Sequence, residues 1–241
     1  MCDISTHIDR IVEAFSGDSA ADGILMTEDG RYVGFLSPRA LLKLVNDYNL
    51  AGARDQNPLS RLPGNQRIQE WLDRALDNPA ESVSIAFIDF DFFKPFNDTY
   101  GFRQGDRVIT LFADMMRHAQ NMSGFFAGHI GGDDFVLGAQ GASQDDMADV
   151  LNQLLGKFRT DVSSLYEPES RLRGHIIAKD RDGKERQFPL LRASAVMLYL
   201  PARSDGASTH PATAEEIAAR FAARKSEAKG SLSGVVIERM G

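Results

Sequence analysis

A single cysteine, Cys2, occurs among the 241 residues, so no internal disulfide can form. The fold must therefore rest on a packed core, and a reducing, cytoplasmic setting is expected. No apolar run approaches the roughly 20 residues that a membrane-spanning helix needs, and no signal peptide is visible; no membrane segment is expected. A basic excess is also missing: 27 Lys and Arg stand against 34 Asp and Glu, for a net charge of −7. Without a basic stripe the chain is ill suited to bind a phosphate backbone, and nucleic acid is not an expected partner. The five histidines (His7, His118, His129, His175 and His210) show no metal-ligand spacing, which argues against zinc. Internal repeats and low-complexity tracts are absent too. What remains is ordinary globular composition, 43% hydrophobic and 25% charged, in a chain long enough to bury a core as one domain or two.

Ile4, Ile8, Ile11, Val12 and Phe15 recur at helical spacing and predict a helix over residues 4–15. Residues 23–27 and 32–36 read as strands joined by a turn at Glu28-Asp29-Gly30. Ser37-Pro38 opens another helix that carries Leu41, Leu42, Leu44 and Val45. Residues 49–63, rich in polar residues, Gly and Pro, read as a linker. A second unit begins with a helix carrying Ile68, Trp71, Leu72 and Leu76, then a nearly all-apolar strand over 82–89. Further expected elements are an amphipathic helix over 104–119, strands over 124–130 and 135–139 hinged on Gly131-Gly132, and a helix over 144–158. Strands over 174–179 and 186–200 flank Asp182-Gly183, a hairpin signal; a short helix around Ile217 and Phe221 and a strand over 235–237 complete the chain. This order predicts an α+β fold with a central mixed, largely antiparallel sheet flanked by helices. The division expected is a small unit over 1–50 and a larger domain over 51–241.

Two acid clusters stand out. Asp89-Phe90-Asp91 closes the buried strand, and His129-Ile130-Gly131-Gly132-Asp133-Asp134-Phe135 places two acids directly after a glycine turn. If the two strands pair, Asp89, Asp133 and Asp134 converge at one sheet edge. Carboxylates that close together repel, and a hard cation such as Mg²⁺ would relieve the repulsion. Because neighbouring strand residues face opposite ways, Asp133 and Asp134 can share an ion only if the hairpin bends locally, which Gly131 and Gly132 allow. Between the clusters, Lys94 can meet a phosphate as a point charge. Asn97 and Asp106 offer an amide and a carboxylate; a carboxylate can accept from the two donors on guanine's Watson–Crick edge. Taken singly these signals have plainer readings: a solvated strand end, a hairpin turn, loop residues, or a helix cap at Asn97-Asp98.

Jointly they resemble the GGDEF family, the diguanylate cyclases of bacterial signalling. The resemblance lies in Asn57-Pro58-Leu59-Ser60-Arg61-Leu62-Pro63-Gly64-Asn65, in residues 88–98, in residues 101–106 and in residues 129–135, and covers roughly residues 53–241. It implies a palm-like nucleotide-cyclase fold and a reaction in which two GTP become cyclic di-GMP and two pyrophosphates, with Mg²⁺ or Mn²⁺, in a homodimer whose domains hold one GTP each. By position, it implies metal ligation by Asp89, by the backbone carbonyl of Phe90, and by Asp133 and Asp134, with Asp133 the catalytic acid. It likewise implies GTP contacts at Gly131 and Gly132, guanine reading by Asn97 and Asp106, and phosphate contacts from Lys94 and Lys229.

Several positions depart from the family pattern. Asp134 stands where Glu is usual and is shorter by roughly 1.5 Å, one C–C bond. Ser233 stands where an arginine usually follows the late lysine, which removes a bidentate phosphate donor. His129 replaces a common arginine. Met122 and Phe125 fall where the Arg-x-x-Asp motif of product inhibition would lie, so no inhibitory product site of that kind is expected. These departures keep open an alternative: a catalytically degenerate domain that binds GTP or dimerises to regulate a partner domain. Residues 1–50 resemble the second half of a cystathionine β-synthase-type (CBS) module, on residues 23–27, 29–31 and 33–39. Ala40 stands where that module has its ribose-binding aspartate, which suits a docking or dimerising remnant. A CBS repeat ahead of this motif variant resembles proteins that also carry an upstream EAL phosphodiesterase or sensor domain.

Overall fold

A computed structural model describes residues 1–6, 8–16, 22–179, 183–203 and 212–240, and the chain divides into two compact units, Met1–Arg54 and Asp55–Gly241. The first unit contains β1 (Cys2–Asp3), α1 (Ile8–Ser16), β2 (Ile24–Glu28), β3 (Arg31–Leu36) and α2 (Pro38–Asp55). β2 lies between β1, parallel to it, and β3, antiparallel to it. The β2–β3 turn falls on Asp29 and Gly30, both at positive φ. The first helix starts later than expected: Asp3 accepts hydrogen bonds from the Ser5 amide and hydroxyl, and this turn holds residues 4–6 out of helix.

The expected linker is also corrected. α2 continues to Asp55, since no proline follows Pro38 until Pro58 and Ala51 and Ala53 favour helix. Residues after it form an ordered loop in which the Asn57 side chain accepts from the amides of Leu59 and Ser60, both at 3.0 Å, and Gln56 bridges to Pro63. Asp55 then caps the next helix by accepting from the Gln66 and Arg67 amides.

The second unit runs α3 (Asn65–Leu76), β4 (Val83–Asp91), α4 (Phe93–Tyr100), α5 (Phe102–Ser123), β5 (Phe126–Gly131), β6 (Asp134–Gln140), α6 (Gln144–Val162), α7 (Pro168–Arg173), β7 (His175–Lys179), β8 (Glu185–Pro189), β9 (Arg192–Leu200), α8 (Ala214–Gly230) and β10 (Val235–Arg239). Five strands form one mixed sheet in the order β10-β9-β4-β6-β5; only the β10–β9 pair is parallel. The α+β architecture with helices on both faces is as the element order implies.

β4 lies at the centre and is apolar on both faces, which explains its near-continuous hydrophobic run. Its even positions Ala86, Ile88 and Phe90 pack with Val108, Phe112, Met147, Leu151 and Phe158 of α5 and α6. Its odd positions Ile85 and Phe87 pack with Leu72 of α3 and Ile217 and Phe221 of α8. The period of two puts Asp89 and Asp91 on the α8 face.

Three local expectations give way. The segment around Lys94 and Asn97 is helix α4, not loop. Residues 186–200 are two strands, because Pro189 has no amide to continue a ladder; β8 pairs with β7 in a separate hairpin, and β9 joins the main sheet. Asp182 of the expected turn lies outside the described residues. The last helix is not short: a Thr213–Glu216 capping box and an alanine-rich run extend α8 to 17 residues.

Candidate functional site

Asp89 is the last-but-two residue of β4 and is paired in register with Asp134 of β6 and Ser194 of β9. It is 6% exposed and Asp91 is 3% exposed, so neither is a solvated strand end. The neighbouring β5–β6 hairpin has a register irregularity between His129 and Gly131, and Gly131 and Gly132 take φ of 151° and 58°. That backbone strongly favours glycine, and it supplies the local bend on which a shared site depends. One carboxylate oxygen from each of Asp89, Asp133 and Asp134 lies within 4.8 Å of the others. Among the described residues, chain neighbours aside, no heavy atom stands within 4 Å of where a Cβ on Gly131 or Gly132 would project, so a ligand can reach the backbone there.

His129 holds this turn. Its ring is buried, stacked on Phe135, with Nε2 3.1 Å from the Gly132 carbonyl oxygen and Nδ1 2.8 Å from Ser60 Oγ. Burial pushes the imidazole pKa down, against the opposing pull of the Gly132 carbonyl, so a neutral ring is favoured.

α8 contributes the cations. Lys225 Nζ lies 2.6 Å from Asp89 Oδ2 and 3.4 Å from Asp134 Oδ1. Lys229 pairs with Asp89 Oδ1 and lies 3.5 Å from Asp91 Oδ1. Burial pushes the Asp89 carboxyl up, but the hydrogen bonds and charges of Lys225 and Lys229 together outweigh it and hold the group below the usual range. For Asp133, burial and then the Asp89 charge push the carboxyl up. Burial also raises Asp134, with Asp89 and Asp133 adding to it and the Lys225 charge opposing.

Asp91 is tied differently. It accepts from Ser194 Oγ at 3.0 Å and from Arg192 Nε at 2.8 Å. The same guanidinium donates to the carbonyls of Lys229 and Ser231, at 2.6 and 3.1 Å, and so satisfies the C-terminal end of α8 and fixes the backbone of Lys229.

Beside the acids a cleft of about 360 Å³ is lined by Phe92, Lys94, Asp133, Lys179, Phe188 and Lys229, among others. Lys94 is exposed and 2.8 Å from Asp98. The ring of Phe90 points into the core, which leaves only its backbone for a ligand. Asn97 and Asp106 lie off this cleft, where α4 meets α5. There Asn97 Oδ1 is buried without a hydrogen-bond partner among the described residues and abuts Gly105, while Asp106 is exposed. Ser233 lies in the turn before β10, accepting from the Val235 amide, and brings no cation.

Lys225, Lys179 and Arg192 were not among the residues singled out from sequence. Lys225 had a readable signal, since Lys225 and Lys229 are four apart and share a helix face. Arg192 and Lys179 had none.

Oxygen donors clustered this closely suit a hard divalent ion such as Mg²⁺. The sequence model for "Diguanylate cyclase, GGDEF domain" matches residues 55–193. The chain is 25% identical over 161 residues to the diguanylate cyclase DgcP of Escherichia coli K12, covering 63% of this chain and 47% of DgcP. It is 42% identical over 60 residues to the diguanylate cyclase DgcS of Shewanella oneidensis, covering 25% of this chain and 20% of DgcS. It thus spans less than half the length of these relatives. In fold it is similar to the GGDEF domain of DgcB from Caulobacter crescentus in complex with c-di-GMP, with a TM-score of 0.54 at 22% identity over 76% of this chain and 95% of that one. Diguanylate cyclase SiaD of Pseudomonas aeruginosa, solved with its activator SiaC, gives a TM-score of 0.57 at 23% identity over 83% and 67%. At those identities the two structures speak to fold alone. With more than half its length matched by the family model, and the paired acids standing where the glycine turn meets the sheet, this chain belongs to the GGDEF family.

Proposed function

We propose that residues 51–241 form a diguanylate cyclase domain that condenses two GTP into cyclic di-GMP and two pyrophosphates as a homodimer. The observation that carries this reading is the convergence of Asp89, Asp133 and Asp134 beside a cleft into which Lys94, Lys179 and Lys229 also open. Asp89, the Phe90 backbone, Asp133 and Asp134 would hold Mg²⁺ or Mn²⁺. Bound there, the metal would stabilise charge on the oxygens of an in-line phosphoryl transfer. Lys94 and Lys229 neutralise the triphosphate, and the open backbone at Gly131 and Gly132 lets it approach. Asp133, which lines the cleft, is the acid on which turnover depends. Asn97 and Asp106 read guanine.

Incubation of the purified chain with GTP and Mg²⁺, with products resolved across protein concentrations, tests the proposal. Cyclic di-GMP and pyrophosphate are expected, with specific activity rising as dimers form. Bound GTP with no cyclic product would leave the second reading, a degenerate domain that binds GTP and regulates a partner. The shorter Asp134 and the uncharged Ser233 favour that second reading.

The close approach at Gly105 supplies a prediction of its own. A Cβ there would stand 1.9 Å from Asn97 Oδ1, so Gly105→Ala must push the Asn97 amide aside. GTP is expected to bind roughly 10-fold more weakly, and ATP unchanged, on the scale of a lost bidentate base contact. Asp106→Ala should narrow the preference for GTP over ATP in the same way. Equal binding of GTP and ATP by the unaltered chain would remove both residues from guanine reading.

The first unit is read as part of a CBS-type module that docks or dimerises, ahead of which an EAL or sensor domain would act as partner. Among the described residues no helix is long and apolar enough to cross a membrane. A cytoplasmic location follows from the proposed use of GTP.

A further inference from the structure

Lys225 is the one cation, among the described residues, that contacts two of the three clustered acids. It reaches them because it lies one helical turn before Lys229 on α8, with its ammonium over the Phe87 ring, 5.6 Å from the centroid. Its ammonium therefore stands at the edge between Asp89 and Asp134, touching the Asp89 oxygen that a hard cation would need on that side. Asp133 has no basic group within salt-bridge distance among the described residues. The acids are thus unequal: the Asp89–Asp134 edge carries an ammonium paired with both carboxylates, whereas Asp133, beside the cleft, has none paired with it.

We propose that Lys225 is a resident cation that occupies one of two divalent-ion positions. The site then takes one ion on the Asp133 side, and admits a second only when Lys225 withdraws. The side chain is 42% exposed, so withdrawal into solvent is open to it. Two like charges cannot share the Asp89–Asp134 edge, because an ion at coordination distance from Asp89 Oδ2 would stand against an ammonium already bonded to that oxygen. Lys229 bonds the other Asp89 oxygen, Oδ1, but pairs with neither Asp133 nor Asp134, so it does not bridge two of the clustered acids; its second partner is Asp91, which Arg192 and Ser194 already satisfy. The inference rests on the reading of these acids as a divalent-ion site, but it concerns occupancy and not turnover.

Mn²⁺ titration of the full chain without nucleotide, followed by the loss of the free-ion electron paramagnetic resonance signal, tests it. One ion per chain is expected for the unaltered protein. Lys225→Met and Lys225→Gln should take a second ion, or bind the first about 10-fold more tightly, and Lys225→Arg should behave as the parent. Two ions bound by the unaltered chain would overturn the inference and leave the ion site intact. Identical stoichiometry and affinity in all four proteins would do the same. Mn²⁺ binding by none of them would remove the ion site itself and the inference with it.

Discussion

Asp133→Asn is expected to raise the melting temperature of the metal-free protein while it abolishes cyclic dinucleotide formation. The two effects have one cause. Asp133 is partly buried, it faces the Asp89 carboxylate, and its carboxyl is pushed up by burial and by that charge. A group whose folded pKa lies above its unfolded value binds more protons in the folded state. Stability is then fully present below the unfolded value, near 3.8, and falls as pH rises through the raised folded value. Above both values the aspartate is ionised and its repulsion is at its greatest. Asparagine removes the charge at nearly constant volume, and each kcal/mol gained appears as roughly 2–4 °C in a domain of this size. Melts at pH 7.5 should separate the two proteins, and melts near pH 3 should bring them together. Turnover should fall by at least about 100-fold, the scale that a misplacement of about 1 Å costs. Such a trade of stability for function is common where like charges are held together to bind something else. Equal melting temperatures and unchanged product formation would together remove Asp133 from the site.

What the sequence made legible is what local chemistry encodes. The apolar run of β4 announces a central strand. Gly131 and Gly132 announce a bend, and the convergence of acids across the sheet follows once β4 and β6 are paired. Resolution fails where the cause is non-local. α4 reads as loop because Pro95 and a length of eight residues hide its pattern, yet Phe96 anchors it in the core. Lys225 looks like a surface lysine until the period of β4 turns Asp89 toward α8. Arg192 reads as an ordinary strand residue, since its partners lie 101 residues upstream at Asp91 and 37 to 39 residues downstream at the end of α8. The ordered loop at Asn57 reads as a linker because polar, Gly and Pro content alone does not distinguish a loop held by Asx-type bonds from one that is free.

The site stands on an aromatic cluster, and Phe112→Ala should expose that dependence with the largest loss of stability. Phe112 is fully buried, and its ring meets Phe90, Phe135 and Phe158 at centroid distances of 5.1, 4.9 and 4.8 Å, each edge-on. Edge-on pairs add to area burial, and deletion of a buried phenylalanine costs about 3–5 kcal/mol in transfer and cavity terms. Against a total of roughly 5–15 kcal/mol, that removes a large part of the stability of the second unit. Two of the neighbours immediately follow site acids in the chain: Phe90 follows Asp89, and Phe135 follows Asp134. Each ring points into the core while the preceding carboxylate points to the other face, so movement of the rings into a cavity must move the carboxylates. Urea unfolding should show a midpoint lowered without a change in slope, and Phe112→Leu should lose about half as much. Mn²⁺ affinity, measured well below the midpoint where the variant is folded, should fall as well. A loss under about 1 kcal/mol would mean that the four rings do not form one close-packed cluster. A full loss of stability with unaltered Mn²⁺ affinity would mean that the sheet edge holds its acids without them.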